Sequence, residues 1–455
     1  MKSFLYLIGG TSLAQLITIA ASPLLSRIFS PTDFGTFAIL TTVVYFLTAF
    51  SCLRLDFALL SSENFTELKW LLRKSLDILL VISLFIVFSV AVFYFFQKQY
   101  LEVLIFIPIM VFFSGLFNIL NNLTLKLQLT NINAKSKVLQ SGGGVLSQLI
   151  LGLYQLGFKG MAIGQILGFI YSVTYLFQKN INFFKEIFKL NNTNYKISTY
   201  KRYILYDSVG AGFSVIANHL PTLFISAILG ANFGGSYYMA YRVLMLPISV
   251  ISISISQFIS SKYFEWKING VYHDNLKKIL NFMSILVFIP SFLAIFILPD
   301  LFSYILGSNW ALAGRIAAIC IIWIAIKFIF DSLIITLSLD KGQKIALIFQ
   351  IFLTFIRILS LWVGWKLNLD YFYIIKIFCY VSLFSYFSGI LIISYVEKIR
   401  LYEFIENFLI GLVSYILIYI SLEKLFFMYF LMFLIFLFWF LRLRTSVIIF
   451  KEVLR

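Results

Sequence analysis

Ile78-Leu79-Leu80-Val81-Ile82-Ser83-Leu84-Phe85-Ile86-Val87-Phe88-Ser89-Val90-Ala91-Val92-Phe93-Tyr94-Phe95-Phe96 carries no charge and no proline or glycine. A helix of about 20 such residues crosses a hydrocarbon core ~30 Å thick, so this stretch reads as a membrane span. A transmembrane barrel would instead need strands of roughly 10 residues with alternating polarity. Working outward from this run, similar stretches fill the chain. They lie near 4–29, 35–60, 76–97, 101–127, 138–157, 160–179, 203–229, 236–261, 279–299, 311–339, 343–364, 371–394, 404–421 and 425–441. The fold class expected is an all-α integral membrane protein of about fourteen transmembrane helices.

Composition agrees. Hydrophobic residues make up 61% of 455 positions and charged residues 12%, which leaves no length for a separate soluble domain. The first apolar run has no small-residue cleavage site before the next begins, so it reads as a retained span rather than a removed signal. Cys52, Cys320 and Cys379 each sit in an apolar run without a CxxC pair, and His219 and His273 are isolated. Small buried hydrophobes are the expected role of such cysteines. No metal and no cofactor is expected.

In a soluble protein the net charge of +17 would point to nucleic acid. In a membrane protein, basic residues collect in cytoplasmic loops. Of the 36 lysines and arginines, twenty-four fall in the segments on one side of the span map, the side of Lys2, Lys69, Lys185, Lys262 and Arg444. Five fall opposite: Lys98, Lys159, Arg315, Lys366 and Lys424. The asymmetry places both termini in the cytoplasm and makes nucleic acid unnecessary as a partner.

The longest loop, near 180–202, is basic and divides six spans from the next six. The short loops Ser30–Gly35 and Gly230–Gly235 occupy equivalent places about 200 residues apart, each after a helix with a proline in its outer third, Pro23 and Pro221. Repeats with an even number of spans share one orientation. The organisation expected is a six-helix lobe over 1–190, a second over 191–400, and two added helices over 401–455.

Four spans carry polar residues at helical spacing: Thr11, Gln15, Thr18, Ser22 and Ser26; Ser114, Asn118, Asn122 and Lys126; Asp207, Ser214, Asn218, Thr222 and Ser226; and Arg242, Ser249, Ser252, Ser256 and Ser260. Each set lies on one helix face. Such stripes either glue helices together or line a shared hydrated cavity. Their recurrence in both halves, several ending in a charge, favours the cavity. The ridge Gly160, Gly164 and Gly168 is a close-packing surface instead.

Ionisable residues at membrane depth are costly and so informative. Arg27, Arg54, Lys126 and Lys376 lie near helix ends, where snorkelling is an alternative. Arg242, Lys327, Asp331 and Arg357 lie further in. Lys327 and Asp331 are four apart and can neutralise each other, whereas Arg242 and Arg357 have no local partner. Asp56, two residues after Arg54, is expected on a different face. Depth cations outnumber Asp56, Asp207 and Asp331, a bias suited to an anionic passenger, and guanidinium forks match phosphate oxygens.

The chain resembles the multidrug/oligosaccharidyl-lipid/polysaccharide exporter superfamily, and within it the Wzx-type O-antigen and polysaccharide flippases. The residues that carry this are Gly10-Thr11-Ser12-Leu13-Ala14-Gln15, Pro23 through Gly35, Leu53-Arg54-Leu55-Asp56, Leu220-Pro221-Thr222-Leu223 and Tyr237 through Pro247. The resemblance implies two six-helix lobes around a central cavity, alternating access, and an undecaprenyl-diphosphate-linked oligosaccharide as substrate. It places the protein in the bacterial inner membrane among lipids, with a polysaccharide polymerase and a chain-length regulator as expected partners. On that reading Arg27, Arg54, Arg242, Lys327 and Arg357 hold the diphosphate. Asp56 and Asp331 serve as counter-charge or as a site for a coupling Na+ or H+, and Gln15, Asn118 and Asn218 line the cavity.

Two other readings stay open. A cation-coupled drug exporter of the same superfamily needs deep acidic residues, for which Asp56 and Asp331 are the candidates. A membrane polysaccharide polymerase or glycosyltransferase would show a large outward loop or clustered carboxylates, and neither is visible in the sequence. A passive channel does not account for the repeat.

Overall fold

The computed structural model of the chain describes residues 2–96, 101–181, 183, 195–201, 203–339, 343–421 and 425–454. The basic loop near 180–202 falls largely outside them, as do Lys98, Lys341, Lys424 and Arg455. The long helices are α1 (Lys2–Ile28), α2 (Pro31–Phe50), α3 (Phe65–Phe96), α4 (Phe106–Lys126), α5 (Thr130–Leu153), α6 (Gly157–Lys179) and α7 (Ser208–Ile228). They continue as α8 (Ala231–Ile268), α9 (Tyr272–Leu306), α10 (Ala311–Leu339), α11 (Gln343–Lys366), α12 (Tyr371–Val396), α13 (Tyr402–Ile420) and α14 (Leu425–Leu454). No strand occurs among the described residues.

Each of the fourteen expected spans overlaps one of these helices, the second only over its first part, since α2 ends at Phe50. Among the described residues, ten helices are long and apolar enough to cross a membrane unaided, and two bent pairs raise this to twelve. The bends are 51° within 203–228 and 42° at Met245–Pro247. Proline accounts for both, since its ring removes an amide donor and clashes with the preceding turn; the residues are Pro221 and Pro247. The other two long helices, α1 and α5, carry more polar residues and pack on each other. Lys137 Nζ of α5 donates to Thr11 Oγ1 of α1 at 3.1 Å, and Gly10 packs on Ala134.

The chain divides into two compact units, Met1–Tyr238 and Met239–Arg455, with the boundary inside α8. In the first unit the glycine ridge meets α5 as expected. A side chain at Gly164 would strike Gln148, and one at Gly168 would strike the Gln140 carbonyl. The two repeated loops also meet. Gly35 lies against the backbone of Ala231 and Gly235 against that of Pro31, leaving no room for a side chain at either.

The Ser30–Gly35 loop is a fold device. Ser30 caps α2 by accepting from Asp33 N (3.2 Å), and Asp33 Oδ2 accepts from Ser30 N (3.0 Å), with Pro31 at the first helical position. This is a capping box. The second Asp33 oxygen accepts from Phe158 N at the start of α6, 3.0 Å away.

In the second unit the core runs through Trp310, Trp323 and Phe288, all fully buried. Its α10 is tied to α8 by hydroxyls. Ser256 Oγ donates to the carbonyl oxygens of Asp331 (3.1 Å) and Ser332 (3.0 Å), and Ser332 Oγ donates to Ser252 Oγ (3.1 Å). Ser252 and Ser256 of the eighth-span stripe therefore act as helix glue in this structure.

Candidate functional site

The second span does not run through as one helix. It stops at Phe50, passes through a four-residue turn, and resumes as a short helix over Leu55–Ser61. Leu53 and Arg54 sit at φ 47° and 57°. That left-handed conformation costs an L-residue about 1–2 kcal/mol, and such strain concentrates where a binding site needs it. Irregular backbone at membrane depth is tolerated where it lines a cavity or is buried in protein.

This break corrects one expectation. On a continuous helix Arg54 and Asp56 would face different ways. The left-handed turn brings both to the wall of one cavity of about 550 Å3 within the first unit. Tyr45 and Thr48 of α2 form one wall, Asn118 of α4 lies across from the break, and Val215 and His219 of α7 close the remaining side.

The fourth-span stripe faces the broken span and holds it residue by residue. Ser114 Oγ bonds Thr48 Oγ1 at 2.7 Å. Asn122 Nδ2 donates to Asp56 Oδ2 at 3.1 Å. Lys126 Nζ donates to the carbonyls of Leu60 (3.1 Å) and Ser62 (2.5 Å). That ammonium satisfies the last carbonyls of the short helix at its negative dipole end, which is neither snorkelling nor a place in the cavity. Lys126→Met is expected to lower stability by about 1.5–3 kcal/mol, the range for a hydrogen bond to a charged group. The check is the melting temperature of the detergent-purified variant; no fall would remove the capping role.

Within the cavity the two charges differ in access. Asp56 is buried and engaged by Asn122. Arg54 is half-buried, its guanidinium lies over the Phe57 ring at 4.4 Å, and its Nε is buried without a hydrogen-bond partner among the described residues. A buried donor left unmade costs about 1–3 kcal/mol, so the position favours an acceptor brought by a ligand. The Tyr45 and His219 rings meet across the α2–α7 side, tilted at 45° with centroids 5.1 Å apart.

Three other expected site residues gather in the second unit, in a closed cluster. Lys327 Nζ pairs with Asp331 Oδ2 at 2.7 Å, with side-chain exposures of 8% and 33%. Arg357 is buried; its Nε donates to Ser382 Oγ (3.0 Å) and its NH1 to Tyr386 Oη (3.3 Å). The guanidinium also faces the rings of Trp323 (5.1 Å), Phe378 (4.9 Å) and Tyr386 (5.6 Å). Arg357 thus finds its partners within its own unit: hydroxyls and π-faces, a setting worth about 2 kcal/mol or more per desolvated contact.

The remaining expected residues are not among those that line the cavity. Arg27 is exposed on α1, Gln15 and Asn218 are half-buried on α1 and α7, and Arg242 is half-buried on α8. Gln15 Oε1 is buried without a hydrogen-bond partner among the described residues, while Thr18, Ser22 and Ser26 of the same stripe donate to carbonyls of their own helix. Sequence reasoning passed over Tyr45 and His219. Their only signal was a polar-tipped aromatic at a helical position, Tyr45 in the span that contains Arg54 and His219 in the seventh.

A sequence profile of the family described as "Polysaccharide biosynthesis protein" matches residues 24–314. No curated protein matches the chain by sequence. Among solved structures, the lipid II flippase MurJ in its inward closed conformation is similar with a TM-score of 0.69 at 17% identity, over 98% of this chain and 99% of that one. A mutant of the Vibrio cholerae MATE transporter VcmN is similar with a TM-score of 0.55 at 10% identity, over 89% and 98%. A MOP superfamily transporter from Pyrococcus furiosus, described as having a binding pocket of reversed polarity, gives 0.52 at 13% identity, over 88% and 97%. At these identities the likeness establishes a shared fold.

Proposed function

Because the chain belongs to the polysaccharide biosynthesis protein family, we propose that it is a flippase for an undecaprenyl-diphosphate-linked oligosaccharide. It moves the repeat unit of an O-antigen or capsule type across the bacterial inner membrane by alternating access, with both termini cytoplasmic. The observation that carries the reading is Arg54, a half-buried guanidinium with an unsatisfied Nε at a strained helix break, opening into a cavity large enough for a sugar head. Guanidinium donors pair with phosphate oxygens in forked geometry.

The roles divide accordingly. Arg54 engages the diphosphate, Asp56 is the counter-charge that fixes the break, and Asn118 offers an amide to sugar hydroxyls. Lys327, Asp331 and Arg357 brace the second unit, and Arg27, Arg242, Gln15 and Asn218 are further contacts along the route. On this reading the two lobes that rock are the six-helix sets expected over 1–190 and 191–400, with the last two helices added to the second. A drug exporter is the weaker reading, because Asp56 is already bonded to Asn122 rather than open to a cation.

Deleting the gene is expected to accumulate the undecaprenyl-linked unit on the cytoplasmic face and to remove the surface polysaccharide. A reporter active only outside the cytoplasm and fused after Arg455 is expected to stay silent. Normal polysaccharide without accumulation would reject the transport reading, and an active reporter would reject the orientation.

A further inference from the structure

Helices α2 and α7 touch where the Phe50 ring lies on Gly212, filling the place a side chain would take. Two openings flank the seam. One is the polar cavity that contains Arg54. The other is a groove of about 220 Å3, lined by Val43, Phe46 and Leu47 of α2 and by Ile216, Leu220 and Leu223 of α7. Val215 borders both openings.

The groove offers nothing to a polar ligand. Thr42 is the one hydroxyl residue in its wall, and its Oγ1 donates to the Ala38 carbonyl at 2.8 Å. An apolar cavity of roughly 150 Å3 accepts benzene, so this groove admits a fragment of that order. It suits a short stretch of one hydrocarbon chain rather than a pair of chains side by side.

We infer that the α2–α7 groove holds the first isoprene units of the lipid carrier while the diphosphate sits at Arg54. This rests on the flippase reading and goes beyond it by giving the tail a protein site where the lipid would otherwise remain in the bilayer throughout. The argument is continuity. A cationic group without a full set of acceptors and an apolar slot flank the same helix seam and share Val215, matching an amphiphile whose anionic head joins directly to a single chain.

The test is equilibrium binding by purified full-length protein, with farnesyl diphosphate as the prenyl probe and inorganic diphosphate as the head-group probe. The wild-type protein is expected to bind farnesyl diphosphate at least about tenfold more tightly, from the apolar area buried. Ile216→Trp fills the groove and is expected to abolish that preference while leaving inorganic diphosphate binding unchanged. Leu223→Ser serves the same purpose without added bulk if the tryptophan variant does not fold. Equal wild-type affinities for the two probes, or a preference that survives both variants, would overturn the groove and leave the head-group reading standing. Loss of binding to both probes on Arg54→Ala supports that reading, and no binding of either probe by the wild-type protein would bring down both. Competition by phosphatidylglycerol as effective as that of farnesyl diphosphate would mark the groove as an ordinary lipid site and overturn the assignment.

Discussion

Arg54→Gly is expected to reduce transport of the lipid-linked unit in proteoliposomes on the order of 100-fold or more while leaving the protein at least as stable as the wild type. Truncating one partner of a buried charge interaction costs about 2–5 kcal/mol, and each 1.4 kcal/mol is a factor of ten. Stability moves the other way because Arg54 occupies a left-handed position at φ 57°, where glycine releases about 1–2 kcal/mol of backbone strain. The two readouts therefore separate a binding role from a structural one. A residue needed only to shape the turn would be replaced well by glycine, and transport would persist. Arg54→Lys keeps the charge but loses the planar fork, and an intermediate loss, about tenfold, is expected. Wild-type transport by Arg54→Gly would end the case for a diphosphate contact.

That a charged residue holds the strained position also shows what the sequence could and could not reveal. The fourteen long helices were legible because bilayer thickness dictates span length, and apolar length is written directly in composition. The break at Ser51-Cys52-Leu53-Arg54 was not, because no glycine or proline marks it. It exists because α4 supplies partners to the far side of the turn: Asn122 for Asp56, and Lys126 for the carbonyls of Leu60 and Ser62. The stripe on α4 was visible, but periodicity states only that residues share a face, not which neighbour they meet. The stripes of α1 and α8 had the same signature, yet several of their hydroxyls donate to their own helix or to α10. The charge bias likewise proved a count without an address. Among the expected cations, Arg54 lines the cavity of the first unit, while Lys327 and Arg357 lie buried in the second.

The Lys327–Asp331 pair gives the second large expectation, and its content is an asymmetry. Both changes break the same 2.7 Å ion pair, yet the charge each leaves behind sits in a different place. Asp331→Ala strands an ammonium whose side chain is 8% exposed, next to the Arg357 guanidinium that shares the Tyr386 ring with it. An uncompensated buried charge costs about 3–5 kcal/mol, and the neighbouring cation adds repulsion. Lys327→Met strands a carboxylate that is less enclosed, its side chain 33% exposed. Its smaller penalty is about 1–3 kcal/mol, partly offset by the apolar side chain packing against Tyr386. Asp331→Ala is therefore expected to melt well below Lys327→Met in the same detergent, and the double variant Lys327→Met/Asp331→Ala to recover most of the difference, since replacing both members of a buried pair by apolar groups is often close to neutral. Equal losses from the two single changes would mean that Lys327 finds another acceptor when Asp331 is gone. A double variant as unstable as Asp331→Ala alone would mean that the carboxylate supports α10 by some route other than the lysine. Because unfolding of a multi-span protein is commonly irreversible, the comparison belongs at one scan rate and reads as an order of melting rather than as equilibrium free energies.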